Sequence, residues 1–158
     1  PYFLGDIKDG KGFIVVIPVE MNIEKEKIYV DGGTHKSRIC LVDGSKTIVK
    51  TRGNDSVVYT NNELEYLALK YGLEYVNNNY PRKQITIYSD SMLIVNQMNG
   101  KWRVTTPTLI PLYNKCIKIL KSNVTIKWTK RDLNKAGWVL DELLSKSKLS
   151  KVSSRSER

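Results

Sequence analysis

The sequence predicts a mixed α/β fold, in which an antiparallel meander and later parallel strands form one five-stranded sheet flanked by helices. Three observations predict it. Three short apolar segments between residues 28 and 51 are separated by turn signals, which is typical of a meander. Two further strand-like segments alternate with helical ones, and such crossovers place strands parallel to the first. A chain of 158 residues, 41% of them hydrophobic, suits one globular domain with a single core.

Residues 1–25 are predicted to form an extension that precedes this domain. Residues 12–19 read as a strand after a glycine-rich turn, so we expect a small hairpin or an added edge strand. A structural role suits this segment better than a catalytic one. The regular pattern starts after it, and we place the main folded domain at residues 26–146.

The meander is predicted at residues 28–31, 38–42 and 47–51, with Asp43-Gly44 as a hairpin signal between its second and third strands. Residues 61–77 follow as an amphipathic helix, because apolar residues recur three and four positions apart. Thr60 or Asn61 stands near its N-cap.

The second half of the domain alternates strands with helices. Strands are predicted at 85–89 and 124–128, and helices at 93–98, 109–121 and 135–144. The remaining segment, residues 147–158, is basic and rich in serine without apolar periodicity, so we expect a disordered tail.

Composition narrows the classes of function. No apolar run is long enough to cross a bilayer and no signal peptide is visible, so we expect a cytoplasmic monomer without membrane association. Cys40 and Cys116 are distant in sequence and indicate buried thiols. The single His35 excludes a multi-histidine metal site. The net charge of +10 favours a polyanionic partner, although four of these charges lie in residues 143–158.

Carboxylates at the ends of predicted strands point to a site. Asp31 ends the first strand and Asp90 ends the fourth, and parallel neighbours would bring both to one sheet edge. An Asp-Gly pair such as Asp31-Gly32 is also an ordinary hairpin turn when taken alone. On the helix that begins at residue 61, Glu65 shares a face with Ala68 and can point toward the sheet.

Converging carboxylates repel one another unless a divalent cation lies between them. Oxygen ligands select Mg²⁺ or Mn²⁺. The chemistry this favours is phosphodiester hydrolysis with two ions about 3.5–4 Å apart, one of which activates water while the other stabilises the leaving 3′ oxygen.

Three segments resemble the leading motifs of the type 1 ribonuclease H family, in the right order and spacing. They are Tyr29-Val30-Asp31-Gly32-Gly33, Thr60 to Leu69, and Ser89 to Gly100. The resemblance spans residues 27–144 and implies an RNase H-like fold. It also implies that Asp31, Glu65 and Asp90 are metal-binding catalytic residues, with two Mg²⁺ or Mn²⁺ ions per site. The implied activity cuts the RNA strand of RNA–DNA hybrids, leaving 5′-phosphate and 3′-hydroxyl ends.

The fourth motif departs from the family pattern, which is roughly Arg-Glu-x-Asn-x-x-Ala-Asp-x-Leu. The chain reads Arg131-Asp132-Leu133-Asn134-Lys135-Ala136-Gly137-Trp138-Val139-Leu140, so Trp138 replaces the fourth aspartate. Asp141 follows three residues later on nearly the same helical face. We expect Asp141 to take the fourth role as catalytic and metal-binding residue. The rivals are Glu142 in that role and a site of three carboxylates.

The resemblance also implies how an RNA–DNA hybrid is held. It places Gly32, Thr60, Asn61, Asn62, Gln97 and Trp102 against the substrate, with Thr60 near a DNA phosphate. Each has a simpler reading, since Asn61 could cap its helix and Trp102 could be core. Basic side chains would add salt-dependent affinity for the hybrid, and the candidates are Lys101, Arg103, Lys130 and Arg131. His35 reads as an exposed turn residue rather than a counterpart of the family's mobile histidine.

Three functions remain open from the sequence. The leading one is a metal-dependent ribonuclease H. The second is the ribonuclease H domain of a retroelement reverse transcriptase, and the third is a hybrid-binding module that has lost catalysis with its fourth carboxylate.

Overall fold

A computed structural model describes residues 2–4, 16–18 and 26–156. Strand β1 (Tyr2–Leu4) pairs antiparallel with β2 (Val16–Pro18) in a two-stranded sheet separate from the main one. The other residues of the predicted extension, including most of the strand predicted at 12–19, lie outside the described residues. The division of the chain into extension, domain and tail stays a prediction.

The main sheet has five strands in the order β5-β4-β3-β6-β7. Its first three strands form the antiparallel meander, while β6 runs parallel to β3 and β7 parallel to β6. This mixed topology confirms the predicted fold class. The strands are β3 (Glu26–Gly33), β4 (Arg38–Asp43), β5 (Lys46–Thr51), β6 (Ile85–Ser89) and β7 (Val124–Trp128).

Four helices connect and cover these strands: α1 (Asn61–Asn79), α2 (Met92–Met98), α3 (Ile110–Ile119) and α4 (Lys135–Ser156). The last helix continues to Ser156, although the sequence predicts its end near residue 144 and a disordered tail from residue 147. Lysine, leucine and arginine favour helix, and the segment after Gly137 contains neither proline nor glycine.

The core lies on both faces of the sheet. On β4, Ile39 and Leu41 pack with α1, α2 and α3, whereas Cys40 and Val42 pack with α4. This alternation follows from the two-residue period of a strand. Cys40 and Cys116 are free, buried thiols, as predicted. β3, whose Ile28 and Val30 are fully buried, is therefore held between helices on both sides.

Candidate active site

Asp31 lies within strand β3 and not in a turn. It pairs with Cys40 of β4, and the next two residues, Gly32 and Gly33, continue the ladder. The carboxylate is 1% exposed. The hairpin reading of the Asp31-Gly32 pair is therefore wrong, because its glycine extends a strand.

Gly32 brings helix α1 close to this strand. A Cβ atom at Gly32 would lie 2.4 Å from the backbone carbonyl carbon and oxygen of Leu64 and 2.7 Å from the amide nitrogen of Glu65. Real Cβ atoms do not approach backbone so closely, so only glycine permits this contact. The contact brings Glu65, 5% exposed, to the buried end of β3 beside Asp31.

Asp90 follows β6, the parallel neighbour of β3. The indole N–H of Trp128 donates to the backbone carbonyl of Asp90 at 3.1 Å. The side-chain amide of Asn134 donates to Asp90 Oδ2 at 2.8 Å and to the carbonyl of Val30 at 3.0 Å. The Asn134 side-chain oxygen accepts from the amide of Ala136 at 3.1 Å. Asn134, which is fully buried, thus ties β3, Asp90 and the start of α4 together.

Asp31, Glu65 and Asp90 form one carboxylate cluster. Each offers an oxygen that lies within 4.8 Å of those of the other two. Asp31 Oδ1 and Glu65 Oε2 are buried and have no hydrogen-bond partner among the described residues. Burial, reinforced by the negative charge of Asp31, raises the pKa of Glu65 well above its ordinary value. Burial likewise raises the pKa of Asp31, with a further contribution from Asp90.

These two unpartnered oxygens fit a bound divalent cation. Unpaired carboxylates are costly in a buried site, and oxygen donors at this spacing suit Mg²⁺ or Mn²⁺. Asp31, Glu65 and Asp90 are therefore the residues that could hold the ion.

Arg131 reaches into the same cluster from the segment before α4. Its Nη1 donates to Asp31 Oδ2 and to Asp90 Oδ2, each at 2.9 Å, and its Nη2 donates to Asp141 Oδ1 at 2.9 Å. Burial alone would lower the pKa of Arg131, but the neighbouring Asp31 and Asp90 carboxylates raise it above its ordinary value. The guanidinium is therefore a permanent cation among three acids.

The candidates for the fourth acid, Asp141 and Glu142, lie on different sides of helix α4. Asp141 lines the cavity with the cluster, but its side chain is 60% exposed and pairs with Arg131. Glu142 instead pairs with Lys146 at 3.3 Å on the exposed side of α4. Trp138, where the family has an acid, is exposed and donates to the carbonyl of Asp132 at 2.8 Å. Among these three positions, only Asp141 lines the cavity.

The predicted substrate residues fall into two groups. Asn61, Asn62 and Trp102 are exposed, and Asn61 lines a cavity of about 400 Å³ with the carboxylates. Trp102 is thus not core. Thr60 caps α1, since its hydroxyl accepts from the amide of Glu63 at 3.2 Å. Asn61 is therefore the first helical residue rather than the cap.

Gln97 and Gly32 form the second group, because both are buried. The Gln97 oxygen accepts from the Tyr66 hydroxyl at 2.5 Å, and its amide nitrogen donates to the carbonyl of Arg103 at 3.4 Å. Gln97 therefore anchors the loop that carries Trp102.

One residue near the site departs from its predicted position, and two more make contacts that the sequence did not identify. His35 is half-buried and lines the cavity, so its reading as an exposed turn residue is wrong. Arg131 contacts carboxylates, although the sequence suggested a role in affinity for the hybrid. Asn134 was visible only as a member of the fourth motif, and its position between a strand and a helix was the available signal.

Comparisons with known proteins agree with this geometry. A family model described as reverse transcriptase-like matches residues 39–140. LC11-RNase H1, isolated from compost by a metagenomic approach, is 26% identical with a TM-score of 0.64, and the match covers 79% of this chain and 99% of that one. RNase H1 from the halophilic archaeon Halobacterium salinarum NRC-1 is 24% identical with a TM-score of 0.60, over 78% of this chain and 99% of that one.

A further solved structure contains a nucleic acid. LC11-RNase H1 in complex with an RNA/DNA hybrid is 26% identical to this chain with a TM-score of 0.59, over 70% of this chain and 89% of that one. The predicted relationship to ribonuclease H is confirmed. Across the described residues, none of the helices combines the length and hydropathy that crossing a membrane requires.

Proposed function

The chain belongs to the reverse transcriptase-like family, which is related to ribonuclease H, and from this premise we propose that it is a metal-dependent endonuclease that hydrolyses the RNA strand of RNA–DNA hybrids. One observation carries the proposal. Asp31, Glu65 and Asp90 converge within 4.8 Å, and two of their buried oxygens have no partner among the described residues. Such an arrangement is costly in the absence of a cation and useful in its presence.

Asp31, Glu65 and Asp90 would hold Mg²⁺ or Mn²⁺ as metal ligands, and Asp141 is the proposed fourth ligand at the open side of the cavity. A divalent cation bound there makes water a stronger nucleophile and stabilises the charge on a leaving oxygen. Two-metal hydrolysis requires positive charge on both sides of the scissile phosphate. All these residues come from one chain, so the proposal needs no partner subunit.

The proposed reaction is the hydrolysis of one phosphodiester bond of the RNA strand. The oxygen of a water molecule forms a bond to phosphorus, and the bond between phosphorus and the 3′ oxygen breaks. The attacking water loses a proton to solvent, while the 3′ oxygen gains one. The products carry a 5′ phosphate and a 3′ hydroxyl.

Contacts within the chain hold the proposed metal ligands in fixed positions. Asn134 fixes the Asp90 carboxylate through a hydrogen bond of 2.8 Å, and Trp128 fixes the Asp90 backbone at 3.1 Å. Gly32 seats α1 against β3 and so sets the position of Glu65. Ligands held on packed elements lose little freedom when the transition state forms.

The substrate class is proposed from the exposed polar rim of the cavity. Asn61 and Asn62, at the start of α1, are exposed and can bond to sugars and base edges. Trp102 is half-exposed in a second groove, which Lys101, Arg103 and Tyr113 also line, and an aromatic face there suits a deoxyribose. A relative of this chain is described in complex with an RNA/DNA hybrid.

The test is cleavage of a labelled RNA–DNA hybrid with and without Mg²⁺ or Mn²⁺. We expect cleavage that depends on the ion, and Asp90→Asn should lower its rate by at least roughly 1,000-fold, or about 4 kcal/mol. Asp132→Asn is the matched control, because Asp132 is an exposed acid of the neighbouring turn. It should leave the rate unchanged.

A second candidate function is a hybrid-binding module without catalysis. The observation that favours it is the guanidinium of Arg131, which already pairs with three carboxylates. Binding of the hybrid without cleavage in either ion would support this candidate and contradict the nuclease. Cleavage that Asp90→Asn does not slow would contradict the site assignment.

A further inference from the structure

We propose that Arg38 binds a phosphate of the RNA strand next to the scissile phosphate and so positions the hybrid over the carboxylate cluster. This inference rests on the proposed function and deepens it by adding a substrate contact. Arg38 lies between the first two segments that resemble ribonuclease H motifs, so the resemblance assigns it no role.

Strand pairing places Arg38 beside the cluster. In the ladder between β3 and β4, Asp31 pairs with Cys40 and Gly33 pairs with Arg38. Paired residues point to the same face of a sheet, as do residues two apart on one strand, so Arg38 and Asp31 share a face. Gly33 has no side chain to separate them, and Asp31, Gly33 and Arg38 line one cavity. Arg38 therefore borders the same space as the carboxylates.

Arg38 differs in its partners from Arg131, the other arginine of this cavity. The Arg131 guanidinium pairs with three carboxylates, each at 2.9 Å. Arg38 is half-buried, and among the residues that the structure describes it forms no ion pair and its side chain makes no hydrogen bond. A guanidinium whose donors are not used by the protein is available to an anionic ligand, and arginine binds phosphate through two parallel hydrogen bonds.

The position of Arg38 fits a phosphate beside the scissile one. Gly33, the strand partner of Arg38, lies two residues beyond Asp31, which is about 7 Å along an extended strand. This offset is comparable with the separation of successive phosphates in one nucleic-acid strand. A phosphate at Arg38 takes no part in bond making or breaking, so its contact is equal in the bound substrate and in the transition state. Such a contact lowers KM and leaves kcat unchanged.

The experiment measures the binding of a labelled RNA–DNA hybrid by fluorescence anisotropy, in Mg²⁺ and over a series of KCl concentrations. Every protein in this series carries Asp90→Asn, so that the hybrid stays intact. Adding Arg38→Gln should weaken binding roughly 10-fold and reduce the slope of log K against log salt by about 0.7–0.9, the value for one phosphate contact. Arg38→Met should do the same, whereas Arg38→Lys, which keeps the charge, should retain the slope.

Arg82→Gln is the matched control for the loss of one arginine. Arg82 is exposed and lies three residues before β6, at the end of that strand opposite to Asp90. This variant should leave both the affinity and the salt slope unchanged. Circular dichroism checks that each variant is folded.

Cleavage kinetics locate the phosphate that Arg38 binds. With Asp90 restored, Arg38→Gln should raise KM roughly 10-fold and change kcat by less than about twofold. When the RNA strand carries one uncharged methylphosphonate linkage, the wild type should cut one of the two neighbouring bonds more slowly, by a similar factor. Arg38→Gln should abolish this difference, because the contact is already lost.

Several results would overturn the inference. They are a folded Arg38→Gln variant with unchanged affinity and salt slope, an equal loss in Arg82→Gln, a reduced slope in Arg38→Lys, and a loss of kcat without a change in KM. If the hybrid binds through Arg38 but the chain with Asp90 does not cleave it, the proposed function is contradicted and the phosphate contact stands.

Discussion

Two buried aspartates of the described residues, Asp31 and Asp43, lie at opposite ends of the sheet and differ in their hydrogen-bond partners. Asp31 is 1% exposed, and one of its oxygens has no partner among the described residues. Asp43, 8% exposed at the end of β4, accepts hydrogen bonds from the Tyr75 hydroxyl at 2.7 Å and the Tyr80 hydroxyl at 2.5 Å. Both residues precede a glycine, so the local sequence does not distinguish them.

The surroundings of the two carboxylates set their pKa values in opposite directions. Burial raises the pKa of Asp31, with Asp90 adding to the effect. At Asp43 burial also acts to raise the pKa, but the hydroxyls of Tyr80 and Tyr75 outweigh it and hold the pKa below its ordinary value. Asp43 is held by two hydroxyl donors and stabilises the fold. Asp31 accepts from Arg131 through Oδ2, but its Oδ1 has no partner among the described residues and is available for a ligand.

The largest expected effect tests what keeps Asp31 in its strand. In Gly32→Ala, the new Cβ would overlap the backbone of Leu64, so α1 must move away from β3. We expect a loss of about 3 kcal/mol in unfolding free energy, or roughly 10 °C in Tm. Nuclease activity should be lost as well, because Glu65 moves with the helix. Thermal unfolding and hybrid cleavage measure the two effects.

Gly33→Ala is the matched control for this change. A Cβ at Gly33 would meet only the Leu140 side chain at 3.6 Å, which is ordinary contact. It should change stability by less than about 1 kcal/mol. Equal losses in the two variants would contradict the role assigned to Gly32.

The next effect concerns the structural aspartate. Asp43→Ala leaves two tyrosine hydroxyls without their acceptor, which should cost about 2–3 kcal/mol and leave cleavage intact. The pKa of Asp43 is lowered in the fold, so its contribution is present above the ordinary value of 3.8 and is lost as pH falls through the folded value. Denaturant unfolding at neutral and acid pH should show the difference between wild type and variant shrinking at low pH.

Asp55→Ala serves as the control for the structural aspartate, because Asp55 is an exposed turn residue. Its stability should match the wild type at every pH. A loss of hybrid cleavage in Asp43→Ala that exceeds its unfolded fraction would break the proposed separation between the two ends of the sheet.

Much of the site could be predicted because its signals are local. Strand periodicity, an acid at a strand end and a helical i, i+3 relation identify Asp31, Asp90 and Glu65. The burial of Gln97 could not be predicted, since its partner Tyr66 lies 31 residues away. The position of Arg131 depends on space beside Gly137 that only the packed fold reveals.

Replacing the acid at one end of the sheet should change stability in the opposite direction from replacing the acid at the other end. Glu65 has a pKa raised in the fold above the ordinary 4.5 by burial and by Asp31. Ionising Glu65 in the folded protein costs free energy of folding. This cost is absent when the pH is below the ordinary pKa of Glu65 and grows as the pH rises toward the pKa in the folded state, by about 1.4 kcal/mol for each pKa unit.

Without metal, Glu65→Gln should therefore be more stable than the wild type at neutral pH and equal to it below about pH 4, the reverse of the Asp43 variant. Thermal scans of the metal-free protein across this pH range measure the effect. Mg²⁺ should raise the Tm of the wild type but not that of Glu65→Gln, since only the wild type keeps the full ligand set. Glu142→Gln is the matched control, because Glu142 is an exposed acid paired with Lys146. This variant should respond to pH and Mg²⁺ like the wild type. If Glu65→Gln lowered metal-free stability at neutral pH, Glu65 would be a structural acid of the same kind as Asp43.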